Sequence, residues 1–145
     1  MIALLQRVSH ANVVVESEII AEIQQGLLVL LGIEQSDDES TSQRMIKRIL
    51  TYRVFSDEDD KMNLSVSDIK GGLLIVPQFT LVADTKKGTR PSFSSAASPE
   101  HAKVLFEKTT DYARSFFPDV AMGCFGADMK VSLTNDGPVT FSLKL

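Results

Sequence analysis

The stretch Leu27-Leu28-Val29-Leu30-Leu31-Gly32-Ile33 has no polar face. A strand that alternates apolar with polar residues can leave one side in water. A strand apolar on both sides has to be covered on both, as at the centre of a sheet. The apolar run from Gly26 to Ile33 is far shorter than the about 20 residues a bilayer span needs. The cover must therefore come from the chain itself. Leu73-Leu74-Ile75-Val76, introduced by Gly71-Gly72, reads as a second buried strand.

The remaining pattern places these strands in a layered fold. Ile2 to Val15 mixes alternation with β-branched runs, and Val13-Val14-Val15 is strongly strand-like. Glu16-Ser17-Glu18 turns the chain into a strand from Ile19 to Ile23, and Gln24-Gln25-Gly26 turns it again. Ser36-Asp37-Asp38-Glu39 has the form of a capping box, with Ser36 as the cap and Glu39 reaching back. The helix that follows carries an apolar stripe of Met45, Ile46, Ile49 and Leu50. Asp57-Glu58-Asp59-Asp60 reads as a solvated turn. Ser98-Pro99 offers a second N-cap with proline in the first helical position. Leu105, Phe106, Thr109, Tyr112, Ala113 and Phe116 form that helix's core-facing stripe, and Pro118 stops it. Strand-like runs follow near Val120-Ala121-Met122, from Met129 to Leu133 and from Val139 to Leu143. The order β-β-β-α-β-α-β-β-β mixes hairpins with helical crossovers, which predicts a mixed sheet with helices packed on one side. No composition shift marks a linker, so residues 1–145 read as one domain.

Composition narrows the chemistry. Fifteen basic against nineteen acidic residues leave a net charge of −4, which counts against binding nucleic acid through a blanket of positive charge. The single cysteine, Cys124, excludes an intrachain disulfide and a cysteine-based metal site. The two histidines are His10 and His101, and neither stands near a Gly-x-Ser-x-Gly turn, which the sequence lacks. The ordinary reading of both is a surface or partly buried histidine. No His-x-x-x-His or Cys-x-x-Cys spacing and no Gly-x-x-x-x-Gly-Lys loop occurs, so neither metal nor cofactor is expected. Without a signal peptide or a spanning segment, the expectation is a soluble protein of a reducing cytoplasm, not a membrane protein.

Three unusual features remain. Pro77-Gln78-Phe79-Thr80-Leu81 directly follows the buried strand, and polar groups at such strand ends are where sheets with helical crossovers tend to bind ligands. Thr80 could be a nucleophile, yet no general base adjoins it in sequence; ordinary strand-end chemistry is the simpler reading. Thr85 to Ala97 is a long polar stretch without periodicity, and connections of that length inside a domain are usually functional or disordered. Asn135-Asp136-Gly137-Pro138-Val139-Thr140 reads as a β-turn between the last two strands.

At these motifs the sequence resembles the D-aminoacyl-tRNA deacylases. The likeness runs through Met1 to Val15, Lys61-Met62-Asn63-Leu64-Ser65-Val66 and Gln78-Phe79-Thr80-Leu81. It continues through Lys87-Gly88-Thr89-Arg90-Pro91-Ser92-Phe93, Phe125-Gly126-Ala127-Asp128-Met129 and Asn135 to Thr140. Each motif is short, and their order and spacing carry the resemblance. One departure is plain: the family commonly has serine before Gln-Phe-Thr, where this chain has Pro77. The hydroxyl and a backbone donor are both lost, so no role of that serine carries over.

The resemblance implies an α/β fold of three layers, α/β/β, with mixed, barrel-like sheets and two main helices on one side. It implies hydrolysis of the ester between a D-amino acid, or glycine, and the 3′-terminal adenosine of tRNA. Gln78, Phe79, Thr80, Phe125, Ala127 and Met129 would line the substrate site. Backbone N–H groups around Phe79 and Thr80 would face the oxyanion, with Thr80 positioning rather than attacking and the terminal 2′-hydroxyl of the tRNA assisting. Gly137 and Pro138 would form a cis pair inserted into the partner subunit's site, excluding L-side chains while glycine and D-side chains pass. This requires a homodimer. An activated ester needs little chemical help, so positioning and oxyanion stabilisation could supply much of the rate.

Two other classes compete. A non-catalytic RNA-binding module is supported by Arg44, Lys47, Arg48 and Arg53 on or near one helix and by Lys86, Lys87 and Arg90 in the long loop. A different small acyl-ester hydrolase or amidase would cleave small substrates without the tRNA terminus.

Overall fold

The structure, a computed structural model, describes residues 1–86 and 88–145. Lys87, part of a quoted motif and of the basic loop cluster, lies outside the described residues. The elements run β1 (Ile2–Val15), β2 (Glu18–Ile23), β3 (Gly26–Gly32), α1 (Glu39–Thr51), β4 (Phe55–Ser56), β5 (Met62–Leu64) and β6 (Gly72–Pro77). A 3-10 turn (Phe79–Val82), α2 (Pro99–Arg114), β7 (Val120–Met122) and β8 (Lys130–Lys144) complete the chain.

Strand β1 organises the sheet. On one edge its first half pairs with β3 and its second half with β2, both antiparallel. On the other edge β8 pairs along almost its whole length, from Ile2↔Lys144 to Val14↔Lys130. Beyond β3 the sheet turns parallel, in the order β3-β6-β7. Parallel neighbours need crossovers. The crossover from β3 to β6 carries α1, that from β6 to β7 carries α2, and both helices join one core on the same face.

The two-faced apolar strands now have their two covers. Leu27, Val29 and Leu31 of β3, with Leu73 and Ile75 of β6, pack against Met45, Ile46, Ile49, Leu105 and Phe106 of the helices. Leu28, Leu74 and Val76 point the other way, into a second cluster with Val8, Ala11, Val13, Ala21 and Ile23. A fully buried leucine contributes roughly 2 kcal/mol, so neither face could be left wet. β1 serves both layers. Ala3 and Leu5 belong to the helical core, whereas Val8, Ala11 and Val13 belong to the inner one. The change of phase falls where the β1–β8 register shifts, between Gln6 and His10. There the strand curls, and the sheet becomes the nearly closed barrel of a three-layer α/β/β fold.

Three expectations need correction. The cap of α1 is Asp38, not Ser36: Asp38 accepts the Thr41 N–H at 2.8 Å. The preceding Asp37 is drawn inward, accepting the Glu34 N–H and the Met1 ammonium, each at 2.7 Å, and this holds residues 34–37 in a turn. The last two strand-like runs are one strand, β8, with the Asn135–Thr140 motif inside it rather than turning between two strands. Finally, Phe116 is half exposed and Phe117 is buried instead. Helix α2 ends at Arg114, so the helical stripe no longer applies two residues on.

Candidate active site

Parallel strands deliver their C-terminal ends to one edge of a sheet, and the groups that follow them meet there. β6 ends at Pro77, a position where a strand tolerates the missing donor. The Gln78 N–H then donates to the Leu31 carbonyl at 2.8 Å, fixing the exit beside β3. The chain closes at once into the 3-10 turn, whose first bond is given by the Leu81 N–H to the Gln78 carbonyl, at 3.3 Å. The N–H groups of Phe79 and Thr80 precede that bond and so have no partner within the turn.

The long polar stretch folds back over this edge. Asp84 and Ser92 exchange two backbone hydrogen bonds of 2.8 and 3.0 Å. The Ser95 hydroxyl donates to the Val82 carbonyl at 2.7 Å, and the Ala97 N–H donates to the Ile33 carbonyl at 3.1 Å. Ser98 then caps α2, accepting the His101 N–H at 3.3 Å. On the far side the Gly123 N–H donates to the Ile75 carbonyl at 2.9 Å, which leads the chain from β7 into Phe125–Met129.

Between these segments lies a cavity of about 690 Å³. Gln78, Phe79, Phe125, Ala127 and Met129 all line it. Thr80 does not. It stands exposed in the same turn, its hydroxyl accepting a hydrogen bond from the Gln78 amide. The sequence reading missed Ala96, Ala97, Pro99, Ala102 and Asp128, which also line the cavity; the only signal for the first of these was the unexplained length of the 85–97 stretch. The walls are mostly apolar. Among the described residues Asp128 is the one carboxylate in the lining, paired with Lys130 at 2.9 and 3.0 Å.

Neither histidine reaches this cavity. The His101 Nε2 donates to the Asp37 carbonyl at 2.9 Å, and His10 lies between the hydroxyls of Ser9 and Thr134. Cys124 is exposed and does not line the cavity. Among the described residues no group of three or more His, Cys, Asp or Glu is placed to hold a metal ion. Among the described residues no helix is long and apolar enough to cross a membrane.

The carboxyls with displaced titration lie elsewhere and have structural partners. Burial pushes Glu34 up, but bonds from the Met1 ammonium and Lys144 outweigh it and hold the group below its ordinary value. Asp38 is lowered by the Thr41 N–H and hydroxyl, Asp57 by the Asn63 amide and backbone donors, and Asp68 by the Ser65 hydroxyl and N–H. These are cap and turn contacts.

Gly137 and Pro138 do not line the cavity of their own chain. Val8 pairs with Asn135 and Gln6 with Thr140, so Asp136 to Val139 face Arg7 alone and bulge from the sheet. Arg7 Nε donates to the Asp136 carbonyl and Arg7 Nη1 to the Val54 carbonyl, both at 2.8 Å. The Asn135 Oδ1 accepts the Val139 N–H at 2.8 Å, closing the bulge. The Gly137–Pro138 peptide is cis, and both residues are exposed.

Comparison with known proteins gives a consistent picture. The family model described as D-Tyr-tRNA(Tyr) deacylase matches residues 4–144. A D-aminoacyl-tRNA deacylase of Vibrio atlanticus (strain LGP32) is 58% identical over 145 residues, covering all of both chains. Another, from Janthinobacterium sp. (strain Marseille), is 58% identical over all of this chain and 97% of its own. A solved structure described as the c-Myc DNA Unwinding Element Binding Protein superposes with a TM-score of 0.96 at 38% identity, covering 100% of this chain and 99% of its own. A second, described as a probable eukaryotic D-amino acid tRNA deacylase, has a TM-score of 0.85 at 15% identity over 98% and 97%, and speaks for the fold alone.

Proposed function

The chain belongs to the D-Tyr-tRNA(Tyr) deacylase family, and on that premise we propose that it hydrolyses the ester of D-aminoacyl-tRNA, releasing the D-amino acid and the tRNA. The observation that carries this reading is the convergence of Gln78, Phe79, Phe125, Ala127 and Met129 on one cavity beside two backbone N–H groups with no partner in their turn. The cavity takes the terminal adenosine with its aminoacyl group. Water adds to the ester carbonyl, and the negative charge gathers on the carbonyl oxygen. The Phe79 and Thr80 N–H groups are donors for that oxyanion. The bond to the ribose oxygen then breaks, and that oxygen leaves with a proton.

Thr80 positions rather than attacks. Its hydroxyl is engaged by Gln78, and no imidazole lines the cavity among the described residues. The 2′-hydroxyl of the terminal ribose, which neighbours the scissile bond in any aminoacyl-tRNA, assists the proton transfer. A Thr80→Ala protein should retain substantial deacylation. Complete loss with intact tRNA binding would instead make Thr80 the nucleophile.

Chirality is read by exclusion. Gly137 and Pro138 are exposed and do not line their own cavity, which suits insertion into a second copy's site in a homodimer. There the backbone blocks an L-side chain, while D-side chains and glycine, including glycine mischarged on tRNA-Ala, escape it. A monomeric variant that still refuses L-tyrosyl-tRNA would overturn this arrangement. The enzyme acts in the cytoplasm, where aminoacyl-tRNA is made and used.

Matched D- and L-tyrosyl-tRNA, followed by release of free tyrosine, test the activity as a whole. Selective D-release is expected. A module that only binds RNA would leave both acylated, and a general acyl hydrolase would also cleave small esters that lack the tRNA terminus.

A further inference from the structure

We propose that the Phe79–Phe93 ring pair, with Lys86 and Arg90 of the adjoining loop, is a stacking site for the base of the nucleotide that precedes the terminal adenosine. The proposal rests on the reading that the cavity takes that adenosine and its ester. The two rings lie 5.1 Å apart, tilted by 46°. Both line the cavity, yet Phe79 is 63% and Phe93 39% exposed. Each ring thus borders the cavity and keeps solvent-accessible surface that a base could cover.

The pair is held from behind. Phe79 opens the 3-10 turn that Gln78 fixes to Leu31, and Phe93 follows the Asp84–Ser92 backbone pair, its carbonyl accepting the Ala96 N–H at 3.0 Å. That same backbone pair closes the loop carrying Lys86 and Arg90, both exposed. The Asp84 carboxylate accepts the Lys86 N–H at 2.9 Å and holds this position at the loop's base. A fixed aromatic face beside cations is what a single-stranded nucleic acid end requires: the ring takes the base and the cations take the phosphate. Stacking of this kind tolerates any base, which is sufficient where every tRNA presents the same 3′ end.

The test uses three stable probes on the full-length protein. One is adenosine carrying a D-amino acid through an amide at the 3′ position. The second adds a 5′ cytidylate, and the third adds an abasic sugar phosphate in its place. The wild-type protein should bind the cytidylate probe about tenfold more tightly than the abasic one, in keeping with one base on one aromatic face. Phe93→Leu and Phe79→Leu should each reduce that ratio to about twofold or less, and Phe93→Tyr should retain it. Lys86→Ala combined with Arg90→Ala should instead shrink the gain of the abasic probe over the nucleoside probe. Each comparison is a ratio within one protein, so a general loss of affinity does not imitate it, and the two leucine variants are independent should one fail to fold. A wild-type ratio below twofold, or leucine variants that keep the full ratio, would overturn the stacking site. Failure of the wild-type protein to bind the nucleoside probe at all would instead overturn the cavity reading, and this proposal with it.

Discussion

Gly26 and Gly72 face each other across the parallel β3–β6 pair. A Cβ on Gly26 would stand 2.0 Å from the Gly72 carbonyl oxygen, and backbone cannot give way as a flexible side chain can. Gly26→Ala should therefore cost about 3 kcal/mol and lower Tm by roughly 10 °C, read by thermal melting. Gly137 is held by a different constraint. Its φ is +143°, and a Cβ there would meet Val139 Cγ2 at 2.6 Å. Replacing Gly137 and Pro138 together by alanine should distort the bulge while leaving folded the cavity, which neither residue lines. The D-over-L ratio in tyrosyl-tRNA hydrolysis should then fall by about tenfold or more, as selectivity kinetics would show. At this scale the sequence was partly legible. Gln78, Phe79, Phe125, Ala127 and Met129, which line the cavity, were named through the family resemblance and not through their pattern, which suits an ordinary strand end. Ala97 and Ala102 were not named, because a small residue lining a cavity looks like any other alanine until the strand edge, the polar loop and α2 are brought together.

The elements teach the same lesson through their ends. The stripe of Met45, Ile46, Ile49 and Leu50 in α1 was readable from spacing and is buried as expected. The cap was not, since Ser36, Asp37 and Asp38 are all plausible caps by residue type. The choice was made by the Met1 ammonium, thirty-six positions from Asp37, which takes Asp37 inward. Asp38→Ala should accordingly lower Tm by a few degrees, while Ser36→Ala should leave it nearly unchanged, in parallel melts. The Asn135–Thr140 motif was misread for a related reason. Its composition suits a turn, but β1 supplies a partner on both sides of it, and the ladder resumes at Thr140. Long-range pairing overrode the local preference.

At the scale of the whole molecule, charge gives two tests. Glu34, Asp38, Asp57 and Asp68 are all held below their ordinary values of 4.5 for glutamate and 3.8 for aspartate. A group lowered on folding adds stability above its unfolded value and loses it as the pH falls through the folded one. The urea midpoint should be level above about pH 5 and decline steadily in more acid solution. On the proposed function, the net charge of −4 leaves few phosphates to be neutralised by the protein. Binding of tRNA should weaken only gently with salt, and a steep slope in a salt titration would reveal a larger basic surface.

Pairing β1 with β8 also bears on how the protein comes into being. Ile2 finds its partner in Lys144, so the seam between them closes only after β8 has been made. At ribosomal speeds of about 5–20 residues per second, a nascent β1 waits on the order of ten seconds with one edge unpaired. A chain stalled before β8 would carry that edge open, a ready template for pairing with other chains. The strand that covers this edge of β1 is therefore also the one that removes it as a template for aggregation.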